Sequence, residues 1–381
     1  MIMSALGYSC QSGVCFDKIG KIVIRFLMKQ ANYQNFRAQF LNAAKALGLN
    51  VQSMQIDDPG LEGELLFQDY VVLHPGAKNK VIILSGVHGV EGYIGSLIQT
   101  EILNKIKCNE VIVPEHVEFT FVHAVNPYGM SWGRRFNAQN VDLNRNVLVS
   151  NLNSLQESET ILKRIQPLLN SKNRFEFVFQ FIRQCPLLIQ FGVDRVVQAI
   201  AGGQSLFPKS VFYAGSQIQQ EILNLQNFFE SKHFDPEGKT VVIDIHSGLG
   251  PYGVGLVIAD AESLQDEQKH FLRGFGRRFI GEHKPKGYYK AHGVLENLFY
   301  FSSHINKGHL LYMTLEFGTY SSLQILSQLV LENSQFHLLK VKTLKNRKLL
   351  NAFFPIDTRW QQTCSEQAIE CLKQCFEFVS K

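Results

Sequence analysis

The chain has 381 residues, with 38 Lys and Arg against 33 Asp and Glu, a formal charge of +5 and 45% hydrophobic residues. Such a composition belongs to a globular chain with a sizeable core and not to a disordered or collagen-like one, and so mild a charge gives no basis for nucleic-acid binding. Seven cysteines without a CxxC pair argue against a disulfide framework or a cysteine zinc site and fit a reducing, cytoplasmic setting, and no apolar run reaches the roughly 18 residues of a membrane span.

In chain order, residues 1–30 read as an extension ahead of the domain. Their apolar stretch from Ile19 to Met28 is broken by Lys21 and Arg25 and precedes no cleavage site, and Met28 is an alternative start. One domain is expected over 31–381. It opens with a helix from Tyr33 to Leu47 that stops at Gly48, then strand material from Glu64 to Leu73 and a turn from His74 to Lys80. Short β-branched runs follow at Val81–Leu84, Val117–Val122, Thr240–Ile245, Gly255–Ile258 and Leu310–Leu315. They are nearly continuous and not alternating, as in strands covered on both faces. Helical patterns at Ile94–Ile106 and Asp266–Ile280 separate some of them, which predicts an α/β fold with a doubly wound, mostly parallel mixed sheet and helices on both faces. Between about 148 and 236 the pattern turns to long Gln-, Asn- and Leu-rich helices, read as an insertion that forms a lid or wall and carries an exposed loop from Gly202 to Gly215. Cys364, Cys371 and Cys375 fall on one stripe of the last helix, a core-facing pattern, and the basic stretches Lys269–Lys290 and Lys340–Lys348 read as solvated faces.

Three of the apolar runs end in residues able to bind metal or move protons. Val81–Leu84 leads into His88-Gly89-Val90-Glu91, Thr240–Ile245 into His246-Ser247-Gly248, and Leu310–Leu315 into Glu316-Phe317-Gly318. In an open parallel sheet such strand ends converge on one crevice. His88 and Glu91 are a short-range ligand pair, and His246 is the natural third member of a His₂Glu zinc set that leaves a position for water. An HxxE pair alone is a weak signal, because a strand-end histidine is more often a hydrogen-bonded structural residue. After the second apolar run, Asn126-Pro127-Tyr128-Gly129, Arg134-Arg135 and Val141-Asp142-Leu143-Asn144-Arg145-Asn146 are dense in anion-binding groups. Asn144 and Arg145 suit a carboxylate clamp with Arg135 facing a reacting carbonyl; a solvated loop with a capping Asn is the other reading.

NPYG, an Arg nine residues before the Asn of VDLNRN, HGVEG upstream, and strands ending IHSG and TLEFG downstream together resemble the zinc carboxypeptidase family typified by pancreatic carboxypeptidase A, over about Val81 to Tyr320. GVHGVEGYIGS, HSGLGPYG and the helix before them are more closely similar to a bacterial branch long grouped as a domain of unknown function, from near Asn32 onward. The aspartoacylase and succinylglutamate desuccinylase branch is a more distant likeness. The resemblance implies one Zn²⁺ per chain on His88, Glu91 and His246, with Glu316 as general base toward a metal-bound water. It also implies Arg135 as oxyanion stabiliser with Arg134 as rival, Asn144 and Arg145 as carboxylate clamp, and Asp142 orienting His88. The expected substrate is a peptide or N-acyl amino acid with a free carboxylate, and a non-catalytic carboxylate-binding module is the reading from another class. The tyrosine that classical members bring over the substrate has no matching motif here; Tyr213, Tyr252, Tyr289 and Tyr312 are the candidates. No GxSxG occurs, which removes a serine nucleophile elbow.

Overall fold

The computed structural model describes residues 32–147, 156–281, 289–338 and 347–381. The expectation for residues 1–30 lies outside them, as do parts of the two basic stretches.

Helix α1 (Tyr33–Ala46) starts where the Asn32 side chain accepts the Asn35 N–H and stops ahead of Gly48, which takes a φ of +72°. Strands β1 (Val51–Ile56) and β2 (Leu66–Leu73) lead to β3 (Asn79–Ser85), α2 (Gly92–Lys107) and β4 (Val117–His123). Next come α3 (Pro127–Trp132) and four helices, α4 (Gln156–Leu169), α5 (Arg174–Phe191), α6 (Val193–Ala201) and α7 (Gln220–Glu230). Strands β5 (Thr240–Gly248) and β6 (Gly255–Ile258), helix α8 (Asp266–Arg273), β7 (Phe279–Ile280), α9 (Glu296–Tyr300) and β8 (Leu310–Gly318) follow, and α10 (Ser322–Leu338), α11 (Arg347–Phe353) and α12 (Thr358–Ser380) complete the chain.

The eight strands form one mixed sheet in the order β1-β2-β4-β3-β5-β8-β6-β7, with helices on both sides. Its centre, β4-β3-β5-β8, is parallel; β1, β2 and β6 pair antiparallel toward the edges, and β7 is parallel to β6. Alternate side chains serve two cores. Val81, Ile83, Val241, Ile243, Leu311 and Met313 pack with α1, α2 and α12 through residues such as Phe40, Ile98 and Cys371. Ile82, Leu84, Val242 and Tyr312 pack with α7 and α9 through Leu225, Phe228 and Phe299. Period-two alternation then dictates what comes at the strand ends: beyond Val242 and Tyr312 the second face continues with Asp244 and His246 on β5 and Thr314 and Glu316 on β8. The register sets His246 directly beside Glu316.

Three expectations change. Strand β1 was not anticipated, because VQSMQI is half polar; it is an edge strand with one partner and much of it meets solvent. The helix expected over Asp266–Ile280 ends at Arg273, because Gly274 caps it and Gly276 takes a φ of +59°, after which Phe279–Ile280 joins the sheet as β7. The Gly202–Gly215 loop is not uniformly exposed: residues 210–215 are buried, tied down by the Asn140 amide donating to the Pro208 and Ser210 carbonyls and by the Gln204 side chain bonding to Phe207 and Val211.

Candidate metal centre

The 86–91 segment leaves β3 through Gly86, whose φ of +68° reverses the chain. Gly89 then lies so close to α3 that a Cβ would sit 2.2 Å from the Gly129 Cα. That contact explains the NPYG motif. Asn126 caps α3 by accepting the Gly129 N–H at 2.8 Å, Pro127 occupies its first turn, and the Asn126 amide donates to the Arg135 carbonyl at 3.2 Å. The Gly89 and Val90 N–H groups donate to the Arg135 and Arg134 carbonyls at 3.1 and 2.8 Å. Backbone bonds therefore hold the His88–Glu91 turn against the arginine segment.

His88, Glu91 and His246 are all buried, and one ligand atom from each falls within 4.8 Å of the others. Glu91 lies at the middle: Oε1 is 3.1 Å from His88 Nδ1, Oε2 is 3.3 Å from His246 Nδ1, and the two rings meet edge-on with centroids 4.9 Å apart. The Ser247 N–H donates to Glu91 Oε2 at 3.0 Å. Each imidazole is backed by a carboxylate at its other nitrogen, His88 Nε2 by Asp142 Oδ1 at 3.2 Å and His246 Nε2 by Asp244 Oδ2 at 2.8 Å. Such partners fix tautomer and ring orientation and turn both Nδ1 atoms toward one point.

The site concentrates buried groups of both charge signs. Burial raises the Glu91 carboxyl, but His88 and His246 outweigh it and hold Glu91 ionised, well below the usual carboxylate range. Asp142 is held low in the same way, burial being overcome by Arg135 and His88. Burial lowers His246, yet Asp244 and Glu91 hold it well above the ordinary histidine value, so two carboxylates share one imidazolium. Glu316 is pushed up to about 7, first by burial and then by the charge of Glu91. Four carboxylates, Glu91, Asp142, Asp244 and Glu316, gather around two guanidinium groups, Arg135 and Arg145. Two imidazoles with one carboxylate are a zinc donor set, so the residues present fit the metal.

Arg135 spans Glu91 Oε1 at 3.2 Å and Asp142 Oδ2 at 3.0 Å, and its Nη2 lies 2.7 Å from His88 Nε2. Asp142 also caps the turn Leu143–Arg145 by accepting the Asn144 N–H. Asn144 accepts the Leu295 N–H at 2.7 Å, which leaves its Nδ2 without a hydrogen-bond partner among the described residues. Arg145, 2% exposed, donates to the Ala201 and Asn144 carbonyls and reaches the Tyr289 hydroxyl at 3.5 Å; among the described residues no carboxylate pairs with it. Arg135, Asn144 and Arg145, with His88, Glu91, His246 and Glu316, line one cavity of about 1070 Å³. Glu316 enters it from β8, its Oε1 accepting the Leu249 N–H at 2.8 Å.

Arg134 does not join them. Although adjacent to Arg135 in sequence and its expected rival for contact with the substrate, it points away into a buried network with Glu332 at 2.7 Å, Asn140 and Asn333, stacked on Phe336 of α10, and is not available to a substrate in the cavity. Of the four tyrosines, Tyr289 and Tyr312 line the cavity, while Tyr252 bonds Asp357 outside it. Asp244, whose Oδ2 accepts the Tyr312 hydroxyl at 2.7 Å, was not among the residues singled out from the sequence. The signal for Asp244 was present, since it precedes His246 by two residues on a strand and so shares its face.

The family described as "Protein of unknown function (DUF2817)" matches residues 30–367. No curated protein matches the sequence. Among solved structures, the carboxypeptidase A from Helicoverpa armigera is similar at 13% identity and a TM-score of 0.46, over 88% of this chain and 74% of that one. Bovine thrombin-activatable fibrinolysis inhibitor, in complex with tick carboxypeptidase inhibitor, is similar at 13% identity and 0.43, over 90% and 97%. A metallo-carboxypeptidase from Burkholderia cenocepacia is similar at 16% identity and 0.41, over 75% and 59%.

Proposed function

The chain belongs to the DUF2817 family, and we propose that it is a zinc-dependent hydrolase of the metallocarboxypeptidase type, cleaving an amide bond next to a free carboxylate. The observation that carries this reading is the convergence of His88, Glu91 and His246 from two strand ends on one point, beside the buried Glu316 and the cavity holding Arg135 and Arg145.

In this reading His88, Glu91 and His246 hold one Zn²⁺, which when bound supplies Lewis acidity that polarises a carbonyl and acidifies water. The chain's own residues do the rest. Arg145, buried and without a carboxylate partner among the described residues, takes the substrate carboxylate, with Asn144 adding an amide donor. Arg135 donates toward the oxyanion that develops on the scissile carbonyl. One such preorganised donor contributes about 2.7–4 kcal/mol to the barrier. Glu316 accepts the proton of the attacking water and passes it to the leaving nitrogen, a task suited to a buried carboxylate whose pKa is raised by burial. Asp142 and Asp244 hold the two imidazoles in the tautomer that leaves Nδ1 free to coordinate.

The test uses matched substrates, peptides and N-acyl amino acids, each with its terminal carboxylate free or amidated, presented to zinc-supplemented protein. Hydrolysis confined to the free acids is expected. Equal hydrolysis of the amidated forms would remove Arg145 from its role, and ligand affinity unchanged by chelation with no hydrolysis at all would favour a binding module.

A further inference from the structure

The cavity extends well beyond the polar groups at the strand ends. Its volume, about 1070 Å³, is at or above the roughly 300–1,000 Å³ of pockets that bury a drug-sized ligand, and exceeds what a single amino acid or dipeptide fills. The far wall is built by α4, α5, α6 and α10, each turning an apolar stripe inward. On α6 the lining residues Val193, Val196, Val197 and Ile200 have the spacing of one helical face, and Leu188 of α5 and Leu326 of α10 complete that wall. Gln184 and Ser322 are the side chains with polar atoms that these four helices add among the described residues. The wall reaches both reactive ends of the site: Arg145 donates to the carbonyl of Ala201 at the end of α6, and α10 begins four residues after Gly318, where the strand carrying Glu316 ends.

A peptide laid along such a wall would bury amide N–H and C=O groups with almost nothing to bond them, at a cost that recurs with every residue. An unbranched hydrocarbon has no such groups and gains with each methylene taken from water. We propose that the substrate is an N-acyl amino acid whose acyl group is a long aliphatic chain seated against α4–α6 and α10, with its carboxylate at Arg145. This rests on the hydrolase reading above and deepens it. The water oxygen bonds the acyl carbon, the C–N bond breaks, and the nitrogen keeps the bonding pair and gains a proton, which yields a long-chain carboxylic acid and a free amino acid.

The experiment compares N-acetyl-, N-octanoyl- and N-dodecanoylglycine with the peptide acetyl-Leu-Leu-Gly on zinc-supplemented protein, each below its aggregation concentration. The proposal expects kcat/KM to rise by about two- to fourfold per methylene over part of the series and by at least about a hundredfold from acetyl to dodecanoyl. Val197→Trp and Leu326→Trp, each filling the chamber from a different helix, should lower the dodecanoyl-to-acetyl ratio at least tenfold. A flat chain-length profile, or a preference for the leucyl peptide, overturns the proposal. A second readout is calorimetric binding of N-dodecanoylglycine to protein stripped of metal. Binding there that weakens in both tryptophan variants, with no substrate cleaved, upholds the chamber and removes the hydrolase; cleavage of short substrates without chain binding does the reverse.

Discussion

Glu316 and Glu91 are both buried carboxylates at the same site with opposite pKa shifts, and the difference lies in their neighbours. Glu91 touches two imidazoles and a guanidinium, while Glu316 meets a single backbone N–H and the negative charge of Glu91. On the proposed assignment of Glu91 as ligand and Glu316 as base, Glu316→Gln should lower kcat by about 10²–10⁴-fold while zinc content, measured by elemental analysis, stays at the wild-type value. The sign of the pH dependence follows. Glu316 acts as base only when deprotonated, so kcat falls as pH drops through its pKa. Burial and the charge of Glu91 push that value up to about 7, and a bound cation would pull it lower, which places the acid limb of the kcat profile at or below 7. A limb that persists unchanged in Glu316→Gln would assign it to another group. Asp244→Asn tests the residue that the sequence reading passed over: losing the carboxylate behind His246 Nε2 should weaken zinc affinity by about 10–100-fold in competition with a chelator. Asp244 escaped notice because it sits inside an apolar run, where a single acid looks like an interruption. Arg134 and Arg135 were inseparable for a related reason. Adjacent residues point different ways, and Glu332 and Phe336, which claim Arg134, lie on α10, far along the chain.

At the scale of elements, the site depends on how closely the 86–91 turn approaches α3. Gly89→Ala places a Cβ against the Gly129 backbone, and backbone cannot swing aside as a flexible side chain can. The substitution should cost about 1–3 kcal/mol in chemical denaturation and reduce zinc stoichiometry, because Glu91 follows two residues later. Full stability with full zinc content would show that the turn has more room than this packing allows. The elements most legible in the sequence were the central strands, since β3, β4, β5 and β8 are covered on both faces and read as nearly continuous apolar runs. Edge elements were the least legible. The sequence of β1 alternates weakly, and the end of α8 hinged on whether Gly274 and Gly276 would be tolerated inside a helix or would stop it.

For the whole molecule, the proposed divalent cation would tie the far-separated segments His88–Glu91 and His246 together. It should stabilise the fold by mass action, by about 4 kcal/mol at a thousandfold excess over its dissociation constant, so a chelator should lower Tm and added zinc should restore it. Among the described residues no helix is long and apolar enough to cross a membrane. The convergence of strand ends was legible because the sheet is parallel at its centre and its carboxyl ends share one edge. The size and lining of the cavity were not, because they depend on how α4, α5, α6 and α10 pack, and amphipathic helices reveal that they have an apolar face without revealing whether it meets core or an open chamber. The most direct measurement is diffraction at the zinc absorption edge from crystals grown with zinc. A single anomalous peak about 2.0–2.2 Å from an imidazole nitrogen of His88, an imidazole nitrogen of His246 and a carboxylate oxygen of Glu91 is the predicted result. A fully ordered site in which these three side chains keep their mutual contacts and zinc binds elsewhere, or nowhere, would contradict it.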